Sequence, residues 1–275
     1  MTAMAPDDRA ITIGEDLFQY WECGRGRPLV LLHGAPADRH VWLPHMRLLG
    51  RHFRCFAYTQ RWFGDASWRA DGPVLSTATH AEDLAQFIGA LDIAPAALVA
   101  WSYSGHVALE ALVARPDLFE RALVYEPGVA SYVTDPVDLV HYARDIEDLL
   151  APVRQAIDSG NEASGLQELE EGLSGAGTER NAGLERPVSN AVLALLSGRG
   201  EMATPISAQA LRDISLPVTI AWGARTRLTF AIPSRAAASL ISTGQHGEVA
   251  DAGHSWPSDD PDGFCALARR RLLPP

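Results

Sequence analysis

Lysine is absent from the 275 residues, and all 23 basic side chains are arginine. That excludes Schiff-base chemistry and any other reaction that needs a lysine amine. Cysteine is scarce: Cys23, Cys55 and Cys265 stand far apart in sequence. Their odd number fits no complete disulfide framework, and their spacing fits no metal site. A reducing cytoplasm is the compartment expected from this usage. No apolar run approaches the roughly 20 residues of a membrane-spanning helix. The segment from Met1 to Arg9 has neither a basic nor an apolar leader region, so no secretory signal is expected. Positive charge is also in deficit. The net charge of −11 argues against a nucleic-acid partner and weakly favours neutral or cationic substrates. Internal repeats and low-complexity tracts are missing as well.

What remains is a globular chain, 47% hydrophobic with a mean hydropathy of −0.03. It suits one α/β domain with an insertion. Short strand-like runs at Ala10–Ile13, Leu17–Cys23, Pro28–Leu32, Phe53–Tyr58, Arg121–Tyr125, Pro217–Trp222 and Glu248–Ala250 alternate with helical patterns at Val41–Leu49, Thr77–Leu91, Ile232–Leu240 and Asp262–Leu273. Such alternation predicts a mostly parallel sheet covered on both faces. Residues 130–210 are helix-patterned and broken by glycines at Gly172, Gly175 and Gly177. They are read as a helical cap inserted into a core formed by residues 1–129 and 211–275.

One stretch carries most of the chemical information: Ala97-Leu98-Val99-Ala100-Trp101-Ser102-Tyr103-Ser104-Gly105-His106-Val107-Ala108-Leu109. It opens as a buried strand, passes a serine flanked two positions away by the small residues Ala100 and Ser104, and leaves as a helix. A serine at a strand-to-helix reversal has its hydroxyl thrust outward, and larger neighbours would collide across the turn. The N–H of Tyr103, opening the helix, is then aimed where an oxyanion would form. Ser102 reads as a nucleophile. A helix-capping serine is the alternative.

A nucleophilic serine needs a base, an acid that orients the base, and oxyanion donors. His254 lies in a glycine-containing loop after the last strand, the expected place for the base, whereas His246 precedes that strand. An acid is missing where one is sought: Gly223-Ala224-Arg225-Thr226-Arg227 follows the strand ending at Trp222, and no carboxylate occurs from there to Glu248. Glu126, closing the apolar strand Arg121–Tyr125, demands a partner because a desolvated carboxylate is costly. It is the candidate acid, unless it caps the next turn or pairs with an arginine. Asp251 is the fallback, followed by Asp259 and Asp260. In His33-Gly34-Ala35-Pro36, the N–H of Ala35 can be the second oxyanion donor, with His33 a structural hydrogen-bonder. Trp42, Trp62, Trp101 and Trp256 are candidates for an aromatic pocket, with Tyr132, Tyr142 and Phe230 as further candidates from the cap.

With these segments assembled, the chain resembles the α/β-hydrolase fold superfamily, in its serine-nucleophile, esterase-like branch. The resemblance implies an eight-stranded, mostly parallel sheet with a helical cap after strand six. It implies Ser102 as nucleophile, His254 as base, and Ala35 and Tyr103 as oxyanion donors. Thr226 departs from it, standing where most members carry the acid. Some members, including haloalkane dehalogenases and cofactor-free dioxygenases, carry the acid after strand six, the position of Glu126. The segment from Tyr58 to Gly64 replaces the commoner Asp-Arg-Gly-x-Gly loop.

The expectation is a serine hydrolase acting on a carboxylic ester or related acyl compound through Ser102, His254 and Glu126. Its partner would be a small hydrophobic or aromatic acyl substrate. No cofactor, metal, nucleic acid or membrane is expected, and the protein would be a monomer or homodimer. Two alternatives are a non-hydrolytic enzyme of the same fold (dioxygenase, lyase or cyclase) using the His–acid pair, and a ligand-binding module.

Overall fold

The computed structural model describes residues 5–65, 74–174, 189–198 and 205–274. Within them the strands are β1 (Asp7–Ile13), β2 (Asp16–Gly24), β3 (Pro28–Leu32), β4 (Arg54–Tyr58), β5 (Ala96–Trp101), β6 (Phe119–Tyr125), β7 (Val218–Gly223) and β8 (Gly247–Val249). The helices are α1 (Leu43–Leu49), α2 (Thr77–Ala90), α3 (Tyr103–Ala114), α4 (Pro136–Asp158), α5 (Glu162–Ser174), α6 (Asn190–Leu196), α7 (Ala208–Arg212), α8 (Leu228–Leu240), α9 (Trp256–Asp259) and α10 (Pro261–Leu272).

The strands form one sheet in the order β1-β2-β4-β3-β5-β6-β7-β8. β2 is antiparallel to both its neighbours, and the pairs from β4 to β8 are parallel. Central strands buried on both faces read as unbroken apolar runs, with no polar alternation. Their side chains still alternate between two layers. Val30, Leu32, Leu98, Ala100, Val124 and Ile220 join the core on one face. Leu29, Leu31, Val99, Trp101, Leu123 and Tyr125 join the other, against α1 and α10.

Two boundaries differ from expectation for reasons outside local sequence. β1 begins at Asp7, because its polar residues are carried by ladder pairing with β2 as far as Glu22. α8 begins at Leu228, one turn before the expected Ile232. The acceptor that caps it is Asp145 of α4, whose Oδ2 takes the Thr229 N–H at 2.9 Å.

α4, α5 and α6 lie between β6 and β7, in the stretch read as a cap. Gly165 and Gly172 of α5 face α4. A Cβ at Gly172 would lie 2.5 Å from Leu149 Cδ1, so Leu149 packs directly over this glycine, which lies inside α5 and does not break it. The expected breaks at Gly175 and Gly177 lie outside the described residues. Among the described residues no helix is long and apolar enough to cross a membrane, and no cluster of His, Cys, Asp and Glu is suited to a metal ion.

Candidate active site

The C-terminal ends of β5, β6 and β7 and the loop after β8 meet at one point. Ser102 caps α3 with φ 62° and ψ −123°, a region that costs a non-glycine residue roughly 1–3 kcal/mol. The surroundings hold it there. Its N–H donates to Tyr125 O (2.9 Å), and its carbonyl accepts from Gly105 N–H (2.8 Å). Gly105 itself must be bare: a Cβ would lie 2.9 Å from Pro127 Cα. Glu126 shares the left-handed strain, with φ 52°, and its N–H donates to Ala221 O at 3.1 Å.

The side chains then line up. His254 Nε2 lies 3.0 Å from Ser102 Oγ, and His254 Nδ1 lies 2.6 Å from Glu126 Oε2. A carboxylate can only accept, so Nδ1 carries the proton and Nε2 is free to accept from the serine hydroxyl. Glu126 is wholly buried, Ser102 and His254 nearly so. Both carboxylate oxygens of Glu126 have further donors: Gly223 N–H reaches Oε1 at 2.7 Å, and Thr226 Oγ1 reaches Oε2 at 2.8 Å. This meets the desolvation problem posed by a carboxylate at the end of an apolar strand.

The fallback acids are elsewhere. Asp251 is exposed and paired with Arg225 at 3.2 Å. Asp260 caps α10 through Gly263 N–H at 2.9 Å. Asp259 sits in α9, its carboxyl pushed up by burial. The His254 loop is tied down by Tyr125, whose hydroxyl donates to Gly253 O (2.7 Å), and by Trp101, whose Nε1 donates to His254 O (3.0 Å). Gly223 also lets this loop close in, since a Cβ there would meet Ala252 O at 2.2 Å.

The loop carrying Ala35 lies directly against the serine. A Cβ on Gly34 would be 2.9 Å from Ser102 Cβ and 3.1 Å from Trp101 O. His33 fixes this loop from below. Its Nδ1–H donates to Gly34 O at 3.0 Å, and its Nε2 accepts from Gln60 N–H at 3.0 Å. Burial drives His33 down to about 4, so it stays neutral. Ser104 donates to His33 O and accepts from Gln60 Nε2 at 2.9 Å, which explains a serine where the turn tolerates only small residues. As the first residue of α3, Tyr103 offers an N–H with no acceptor inside the helix. Its side chain is committed to the core, its hydroxyl donating to His80 Nδ1 at 2.8 Å.

The four tryptophans do not form a common pocket. Trp42 is fully buried and packs against Trp101 and Phe264, because the 3₁₀ turn Arg39–Trp42 directs it into the layer under α1 and α10. Trp256 packs on Tyr125 and Phe264 in that layer. Trp101 follows the strand alternation to the same side, with its ring centroid 5.8 Å from that of His254. Trp62, at φ 65°, packs on His80 and lines a polar cleft of about 310 Å³ beside Arg39, Gln60 and Arg61. Ser102, Glu126 and His254 do not line that cleft. Tyr132 is buried and stacked on His106. Tyr142 donates to Gly128 O at 2.8 Å. Phe230 belongs to α8, after β7, not to the helical insertion, and its ring lies flat on His254 with centroids 3.7 Å apart. Sequence gave no sign of that stack.

Comparison with known proteins agrees with this architecture. The profile of the alpha/beta hydrolase family matches residues 29–267. A Mycobacterium tuberculosis protein named as a non-heme bromoperoxidase, BpoC, is 34% identical over 107 residues, covering 38% of this chain and 40% of that protein. The (E)-2-((N-methylformamido)methylene)succinate hydrolase of Acinetobacter baylyi is 26% identical over 109 residues, 38% of this chain and 39% of its own length. The matched chain thus spans about two fifths of these curated relatives. Among solved structures, the carboxylesterase CesB of Bacillus subtilis superposes with a TM-score of 0.72 at 20% identity, covering 98% of this chain and 92% of its own, a likeness of fold. The chain belongs to the alpha/beta hydrolase family.

Proposed function

We propose that the protein is a serine hydrolase that cleaves a carboxylic ester or related acyl compound through an acyl-enzyme. One observation carries this reading: the unbroken line from Ser102 Oγ through His254 to Glu126, at 3.0 and 2.6 Å. Ser102 attacks the substrate carbonyl as His254 Nε2 takes the hydroxyl proton. Glu126 keeps Nδ1 protonated and stabilises the imidazolium. Charge developing on the carbonyl oxygen is met by the N–H groups of Tyr103 and Ala35. The imidazolium then protonates the leaving group, and water, activated by the same histidine, releases the acid and frees Ser102.

The hydrolase name of the Acinetobacter relative supports the reaction class. Phe230, whose ring lies on His254, favours a hydrophobic or aromatic acyl group. A fluorophosphonate probe tests the chemistry without knowledge of the substrate. It should label the wild-type protein and leave Ser102→Ala untouched. Folded wild-type protein that resists the probe would overturn the reading; once Ser102 is labelled, a panel of short and aromatic acyl esters would define the substrate.

A further inference from the structure

The segment Thr226–Phe230 touches every part of the site's acid–base pair, although none of its side chains is a member of that pair. Thr226 donates to Glu126. Arg227 binds Asp145 of α4 through Nε at 3.3 Å and Nη2 at 3.1 Å. Thr229 N–H is capped by the same carboxylate. Phe230 then lies on the imidazole of His254 at 3.7 Å with 15° between the planes. The ring is also confined by Gly128: a Cβ there would lie 3.2 Å from Phe230 Cε1, and Gly128 O is held by the hydroxyl of Tyr142. Phe230 is buried, as is His254.

We infer that Phe230 is a positioning residue for His254. Its ring holds the imidazole in the plane that joins Ser102 to Glu126, and its π face favours the imidazolium formed when the serine proton is transferred. The proposal rests on the serine-hydrolase reading above. Two physical effects act at this contact and can be separated. A flat aromatic wall blocks rotation of the imidazole out of line. The negative face of the ring also attracts a cation lying on it, and does so most strongly where water is excluded. An aliphatic side chain of similar bulk keeps the site dry and loses the second effect.

The test is the rate of fluorophosphonate labelling as a function of pH, which reports activation of Ser102 by neutral His254. Phe230→Leu should label about 10-fold more slowly, with the acid limb of its pH profile moved about half a unit to one unit lower, because the imidazolium has lost its aromatic face. Phe230→Tyr, which keeps the ring, should stay within about threefold of wild type with an unmoved midpoint. Phe230→Met, flexible enough to fill an irregular gap, replaces the leucine variant if that one does not fold. A merely structural role would lower thermal stability and leave the midpoint where it was. Wild-type rate and midpoint in a folded Phe230→Leu protein would overturn the inference. Failure of the wild-type protein to label would instead overturn the hydrolase reading.

Discussion

Thr226 donates its hydroxyl to Glu126 over 2.8 Å, onto the same carboxylate oxygen that accepts the hydrogen bond of His254 Nδ1 at 2.6 Å. The side chain after β7, where the family resemblance leads one to seek an acid, instead donates to the carboxylate that follows β6. The two positions converge on one point because β6 and β7 are parallel neighbours in register, with Tyr125 beside Ala221.

That convergence can be tested by moving the charge. Glu126→Gln should lower the rate constant for ester cleavage by a factor on the order of 10³–10⁴, the scale seen when an orienting carboxylate becomes an amide. Adding Thr226→Asp should restore at least tenfold of it, since residue 226 already reaches, at 2.8 Å, the Glu126 oxygen that faces His254 Nδ1. Thr226→Val alone should cost about tenfold to a hundredfold, one hydrogen bond to a buried charge. Steady-state kinetics on the best ester of the panel would decide all three.

Gly34 sets the spacing between the loop bearing Ala35 and Ser102. A methyl group there meets Ser102 Cβ at 2.9 Å and the Trp101 carbonyl at 3.1 Å. The second of these neighbours is backbone and cannot step aside. Gly34→Ala should fold with a loss of about 1–3 kcal/mol and lose activity by more than tenfold. Denaturant midpoints and turnover would be read together, and unimpaired turnover would show that the loop does not supply an oxyanion donor.

Acid should destabilise the fold steeply. His33 and His45 are pushed down to about 4 and His80 to about 3, in each case by burial. Their folded pKa values lie below the ordinary value near 6.5, so the unfolded chain binds more protons between the two. Stability is complete above about pH 6.5 and falls as pH drops toward 4. Each histidine contributes a slope of about 1.4 kcal/mol per pH unit in that window, roughly 4 for the three together. Urea unfolding at intervals of half a pH unit should give a slope near that sum, and a flat profile between pH 6.5 and 4.5 would contradict it.

The three thiols, distant in sequence, share one apolar layer. Cys23 stands opposite Cys55 in the β2–β4 ladder. Burial holds Cys265 up at about 12, and Cys55 is raised well above the usual thiol range by its hydrogen bond with Cys23 and by burial. The same hydrogen bond pulls the Cys23 thiol down, so burial alone protects that one. Ellman's reagent at pH 8 should react slowly with native protein, because all three thiols are buried, and titrate three in denaturant. Rapid reaction of even one thiol in the native state would show that this layer opens.

Sequence alone determined the sheet, because parallel strands buried on both faces must be short apolar runs, and the runs at Pro28–Leu32, Ala97–Ala100 and Pro217–Trp222 could be little else. It also determined the serine turn. Small residues two positions either side of Ser102 are a steric requirement written locally. The loops bearing Ala35 and His254 followed from their positions after strands. What sequence left open was decided by contacts between residues about a hundred positions apart. Whether Glu126 or Asp251 meets His254 depends on strand neighbours, and no local pattern encodes which strand lies beside which. Aromatic character says nothing of direction: a 3₁₀ turn sends Trp42, and strand alternation Trp101, into the layer under α1 and α10. The Phe230 stack needed α8 to begin a turn early, and the carboxylate that caps it there belongs to α4. Burial and hydrogen-bond satisfaction, properties of the assembled fold, fixed the surroundings of His254.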